Sequence, residues 1–98
     1  MSVTRINDFR AKEGKADALR AFLVQVIPSV ASARGCLSCQ LLQSQDNPAR
    51  FVVLEVWDSI ESHKAAVKDI PPEMFATVME LLDGRPSGEY FRESEPPH

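Results

Sequence analysis

The sequence predicts an α+β domain: a ferredoxin-like βαββαβ unit with one antiparallel sheet and its helices on one face. Three observations carry that expectation. Phe51-Val-Val-Leu-Glu-Val-Trp57 reads as a pleated strand. The positions Leu19, Phe22, Leu23, Val26, Ile27 and Val30 follow the i, i+3, i+4, i+7 spacing of an amphipathic helix. The turn-forming run Gln45-Asp-Asn-Pro-Ala49 separates two strand-like segments, as in a hairpin with a loop longer than two residues. Right-handed crossovers applied to the order strand, helix, strand, strand, broken helix, strand leave little but this topology.

Element by element, Val3 to Arg10 alternates weakly as a first strand, with Val3, Arg5, Asn7 and Phe9 on one side. Lys12-Glu-Gly14 is a turn, and the helix runs from Lys15 to a stop at Gly35, after Ala33-Arg34. Pro28 lies inside it and is expected to kink the helix or remove a hydrogen bond at about Val24. Leu37 to Ser44 and Arg50 to Trp57 form the hairpin. Asp58 or Ser59 caps the next helix, with Glu61 at the capping-box distance from Asp58. That helix reaches about Lys68 and breaks at Ile70-Pro-Pro72. A further helix carries Met74, Phe75, Val78, Met79, Leu81 and Leu82 and stops at Asp83-Gly84. Its apolar stripe reads as core before it reads as a ligand wall. Gly88 to Ser94 forms a last strand before Pro96-Pro97.

Ninety-eight residues make one domain, 1–98, which buries roughly two-thirds of its unfolded surface. The formal charge of −3 is spread along the chain with no basic block, which disfavours nucleic acid as a partner. No segment approaches the roughly 18 apolar residues of a membrane span, and Met1 to Arg10 lacks the pattern of a signal peptide. A cytoplasmic protein is expected. Cys36 and Cys39 form a CxxC spacing at the start of a strand rather than at a helix N-terminus. Three residues apart in a regular strand they face opposite ways, roughly 10 Å apart, so two ordinary small buried residues are expected. Metal ligands are too few for a zinc site, because only His63 and His98 accompany them.

The third strand holds the strongest chemical signal. Phe51, Val53, Glu55 and Trp57 share one face, and Val52, Leu54 and Val56 share the other. A carboxylate among Phe, Val and Trp needs partners or its pKa rises. Arg5, Arg50 or backbone N–H groups are candidates to hold it. The aliphatic face, or its opposite, cannot be left to water without exposing a large apolar patch. A homodimer with two sheets face to face solves that problem.

With these elements placed, the chain resembles the antibiotic biosynthesis monooxygenase (ABM) family of dimeric α/β barrels. The resemblance rests on Lys12-Glu-Gly-Lys15 opening the first helix, Ile27-Pro28 near its end, and Gly35-Cys36 before the second strand. Glu55-Val-Trp57 followed by Asp58-Ser59 completes it. The family implies a homodimer with a pocket between each sheet and its helices. Several members oxidise phenols, quinols or anthrones with O2 and without cofactors. Family members often carry a His nine residues after that Trp; here the position is Ala66, and His63 lies three residues earlier. The haem-degrading branch is similar at Asn7. Its Trp and haem-ligating His, however, correspond to Ala66 and Ala76.

Cofactor-free oxygenation asks for a base, donors for the substrate anion and an apolar cavity. The candidate catalytic residues are Asn7 as donor and His63 or Glu55 as base. Trp57, Arg5, Phe22, Phe75 and Tyr90 are candidates to bind a small aromatic or hydrophobic ligand. The bland alternatives are a backbone-bonded Asn7, a structural Glu55, a core Trp57 and a solvated His63. A non-catalytic dimer that binds a hydrophobic metabolite is the rival function, and an isomerase or lyase using the same pocket a weaker third.

Overall fold

The computed structural model describes residues 2–94; His98 and Pro96-Pro97 lie outside them. The elements are β1 (Val3–Arg10), α1 (Ala16–Ala31), β2 (Cys36–Gln43), β3 (Arg50–Trp57), α2 (Ile60–Lys68), α3 (Pro72–Leu81) and β4 (Ser87–Phe91). The sheet order is β2-β3-β1-β4 with every neighbouring pair antiparallel, the ferredoxin-like arrangement.

β3 alternates without a break: Phe51, Val53, Glu55 and Trp57 are buried, and the residues between them only half so. The buried side faces the helices. In register beside it lie Arg5, Asn7 and Phe9 of β1, Cys39 and Leu41 of β2, and Gly88 and Tyr90 of β4. The opposite face carries Ile6, Leu42, Val52, Leu54, Val56 and Phe91, of which Leu42 and Phe91 are exposed.

α1 ends at Ala31, short of the expected Gly35. Its last turns tighten, with Ser32 N–H on the Pro28 carbonyl and Ala33 N–H on that of Val30. Gly35 still has a structural reason. Its φ is +88°, and a Cβ there would meet Ser62 and Asp58 at 2.5–2.8 Å, where the Asp58 N–H binds the Gly35 carbonyl. Ser59, not Asp58, caps α2: its Oγ accepts from Ser62 N–H at 3.1 Å, so Ser62 takes the place expected for Glu61.

A bulge between Cys36 and Ser38 changes the expected geometry of the cysteines. Cys36 pairs with Trp57 and Cys39 with Glu55, so both thiols share the helix-facing side instead of opposing sides. The extra residue, Leu37, is the one pushed outward. Both thiols are free, and burial pushes Cys39 up to about 12 and Cys36 up as well, so neither is a ready nucleophile.

The hydrophobic core lies toward one end of the sheet, where Leu19 and Leu23 of α1 and Val78 and Leu82 meet Phe51, Val53 and Ala11. Backbone bonds from Lys12 to Leu81 and from Asp83 to Arg10 tie the end of α3 to the end of β1. Leu19 has no exposed surface. Leu19→Ala is expected to lower the unfolding free energy by about 2–5 kcal/mol, read from the urea midpoint at fixed protein concentration.

Candidate functional site

At the other end of the same sheet face the core gives way to polar groups. Glu55, 6% exposed, stands on β3 between Arg5 and Cys39 of the flanking strands. Trp57, two residues on, donates its indole N–H to Glu55 Oε1 at 2.8 Å. Asn7, diagonally across on β1, donates from Nδ2 to Glu55 Oε2 at 2.9 Å and accepts from Arg5 Nε at 3.1 Å. The carboxylate is therefore held by Asn7 and Trp57; of the partners weighed from sequence, Arg5 bonds to Asn7 and Arg50 grips Asp8 on the opposite face. Burial raises the Glu55 pKa, while the Trp57 N–H, the Arg5 charge and the Asn7 amide pull it back.

His63 enters from the first turns of α2 and is 8% exposed, so the solvated reading of this residue does not hold. Its side chain projects from α2 onto the sheet beside Trp57. The two rings meet edge-on with centroids 5.4 Å apart. His63 Nδ1 lies 2.6 Å from the Tyr90 hydroxyl, and Nε2 lies 3.9 Å from Glu55 Oε1. Burial, then the Arg5 charge, lower its pKa. Arg5 in turn stacks over the Tyr90 ring with Cζ 4.6 Å from the centroid.

These groups form the floor of a cleft of about 930 Å³ between the sheet and the three helices. Arg5, Asn7, Glu55, Trp57, His63, Phe22 and Phe75 line it; Tyr90 is not in its wall and reaches it through His63 and Arg5. Phe75 and Met79 are 47% and 42% exposed, so this part of α3 is a cleft wall and not the core its spacing suggested. Ile27 and Val30 of α1 add to the apolar wall. Ala66 also lines the cleft, one turn of α2 beyond His63. Among the described residues, no three His, Cys, Asp or Glu side chains gather as a metal site, and no helix is long and apolar enough to cross a membrane.

The antibiotic biosynthesis monooxygenase profile matches residues 2–85. The chain belongs to that family. Its fold is shared with Rv0793 of Mycobacterium tuberculosis at 24% identity, with all of both chains covered and a TM-score of 0.85. It is similar to a Chloroflexus aurantiacus protein assigned to the same family: 30% identity, 98% of each chain and a TM-score of 0.73. SnoaB of Streptomyces nogalater, described as a cofactor-independent oxygenase, is 17% identical over 97% of this chain and 95% of its own, with a TM-score of 0.81. No curated protein matches the chain.

In this ABM domain the Trp57 N–H is committed to Glu55, which leaves the indole as a wall. Asn7 keeps one uncommitted amide hydrogen. Tyr90 as the partner of His63 was not foreseeable from spacing alone, since β4 must first pair with β1.

The two buried titrating groups act on stability in opposite senses. The folded protein protonates His63 less readily than the unfolded chain, so stability rises with pH up to the unfolded value of about 6.5. Glu55 retains its proton above the usual 4.5, so its contribution falls as pH rises from there toward the raised value. His63→Phe removes the first effect and leaves the second. The expected outcome is that any rise in Tm between about pH 5.5 and 6.5 is lost or reversed, as measured by thermal melts at stepped pH.

Proposed function

We propose that the protein is a cofactor-independent monooxygenase that oxidises a small phenol-, quinol- or anthrone-like substrate with O2. The observation that carries this reading is the meeting of a neutral imidazole, an amide donor and an apolar cleft at one place. The family and the description of the Streptomyces nogalater relative support the same class of chemistry.

His63 is the base in this reading. Its Nδ1–H donates to the Tyr90 oxygen, a tautomer we assign, and that leaves the Nε2 lone pair for the substrate hydroxyl. The nearby Glu55 carboxylate makes Nε2 more basic and stabilises the imidazolium that forms. The remaining Asn7 amide hydrogen donates to the substrate oxyanion. That anion is the reductant. One electron passes to O2, the two radicals combine at the activated carbon, and the peroxide takes back the proton from His63. At a CH2 carbon the hydroperoxide then loses water to leave a carbonyl, so one oxygen atom enters the product and the other leaves as water. Trp57, Phe22 and Phe75 hold the rings and keep bulk water away.

The same reading includes a cytoplasmic homodimer joined through the open sheet face, where Ile6, Leu54 and Val56 lie together. Leu54→Lys is expected to give a monomer in sedimentation, against a dimer for the unaltered chain.

One observation favours a second reading, a binding protein without catalysis. Ala66 occupies the cleft position where the family often places a His, and both oxygens of Glu55 already have partners. Oxygen consumption decides between them. Purified protein is presented with hydroquinones, naphthols and anthrones, with His63→Ala and Asn7→Ala alongside. Uptake that falls about 10²-fold or more in His63→Ala, and that in the parent protein persists below the ordinary imidazole range before declining in acid, is the expected result. No uptake across the panel leaves the binding protein.

A further inference from the structure

We propose that the cleft selects aromatic ligands that bear a carboxylate, and that Arg5 is the residue that reads it. The inference rests on the cleft being a ligand site, as in the reading above, and names the substrate class more closely. Arg5 is fixed at three points. Its Nε donates to Asn7 Oδ1 at 3.1 Å, and its guanidinium stacks 4.6 Å above the Tyr90 ring. The third point is Gly88, opposite Asn7 on β4. A Cβ at Gly88 would run into Arg5 Nη2, into Arg5 Cζ at 2.7 Å and into Asn7 Oδ1 at 2.6 Å. The missing side chain is what lets the guanidinium lie flat there.

Held in this way, Arg5 spends only Nε. Among the described residues its side chain makes no other hydrogen bond and has no carboxylate within salt-bridge distance. Arg50 shows the contrast: its Nε and Nη2 together grip Asp8, with Nη2 at 2.6 Å. Glu55 does not serve Arg5 as Asp8 serves Arg50, because its two oxygens face Trp57 and Asn7. A half-buried cation held in place without a carboxylate in salt-bridge reach among the described residues, on the floor of an apolar cleft, matches the planar fork that binds carboxylates in bidentate fashion. Phe22, Ile27, Phe75 and Met79 supply the surface for the rings. A neutral phenol fills the same space and leaves the guanidinium without its anion.

The test is calorimetric titration of the full chain with 2-naphthoate and with the uncharged 2-naphthamide. The naphthoate is expected to bind about tenfold more tightly, with an advantage that shrinks as salt is added. Arg5→Gln, and separately Gly88→Ala, should bring the naphthoate down to the affinity of the naphthamide. Equal affinities in the unaltered protein, or no binding of either compound, overturn the proposal without any variant being needed. A preference that survives Arg5→Gln overturns the assignment to Arg5. Oxygen uptake is scored separately. Turnover of neutral and carboxylated hydroquinones with equal ease defeats this inference and keeps the oxygenase; a carboxylate preference with no uptake does the reverse.

Discussion

A carboxylate with almost no access to water, Glu55, is the constraint from which the rest of the site follows. Charge in such a place is tolerated only with strong donors at both oxygens. Trp57 and Asn7 are those donors, and serving Glu55 fixes both side chains. The Asn7 amide, once its nitrogen is turned to Glu55, must present its oxygen to Arg5. Arg5 then lies over Tyr90, and Tyr90 meets the imidazole that leans on Trp57. No buried side-chain polar atom among the described residues lacks a partner. Each member of this ring orients the next, so deleting one disturbs several.

Why a cleft stands over this ring is a question of where the helices are tied down. Leu19 and Leu23 bury the first half of α1, and Val78 with Leu82 buries the far end of α3, all against the Phe51 end of the sheet. Toward Trp57 the same two helices offer Ile27, Val30 and Phe75 to an open space. α2 stops at Lys68, and Pro71 and Pro72 at the start of α3 keep the two from joining into one helix. One sheet face thus serves both purposes: dry packing at one end and a chemical surface at the other.

Much of this was legible in the chain. The alternation Phe51, Val53, Glu55, Trp57 sorted β3 into two faces and singled out the acid on one of them, because strand periodicity is strict and a lone carboxylate among aromatics is conspicuous; which face the helices cover stayed open. The βαββαβ order followed from spacing and turn residues. What escaped depends on one-residue details or on distant pairing. The bulge at Leu37, which turns Cys36 and Cys39 to one side, carries no signature beyond a regular-looking strand. The burial of His63 depends on how α2 packs on Trp57 and Tyr90, contacts between elements distant in the chain. Phe75 and Met79 have the spacing of core residues, and the hydrophobic pattern of a helix does not distinguish a wall that meets protein from one that meets a cavity. Gly88 reads as a strand-weakening residue until Arg5 is seen lying across it.

The two faces of the sheet are not independent. β1 places Arg5 and Asn7 toward the cleft and Ile6 between them on the far side; β3 does the same with Glu55, between Leu54 and Val56. Whatever packs on Ile6, Leu54 and Val56 therefore presses on the very strands whose spacing sets the Asn7–Glu55 bond at 2.9 Å. Burying that apolar face stiffens the backbone behind the polar ring, because side chains of adjacent residues on a pleated strand share its position even as they point apart. Preorganised donors are worth most when they need not move to meet a developing charge. In this fold the open apolar face and the face that carries the cleft are opposite sides of one layer. A substitution confined to the outer face would be felt within the cleft through the strands they have in common.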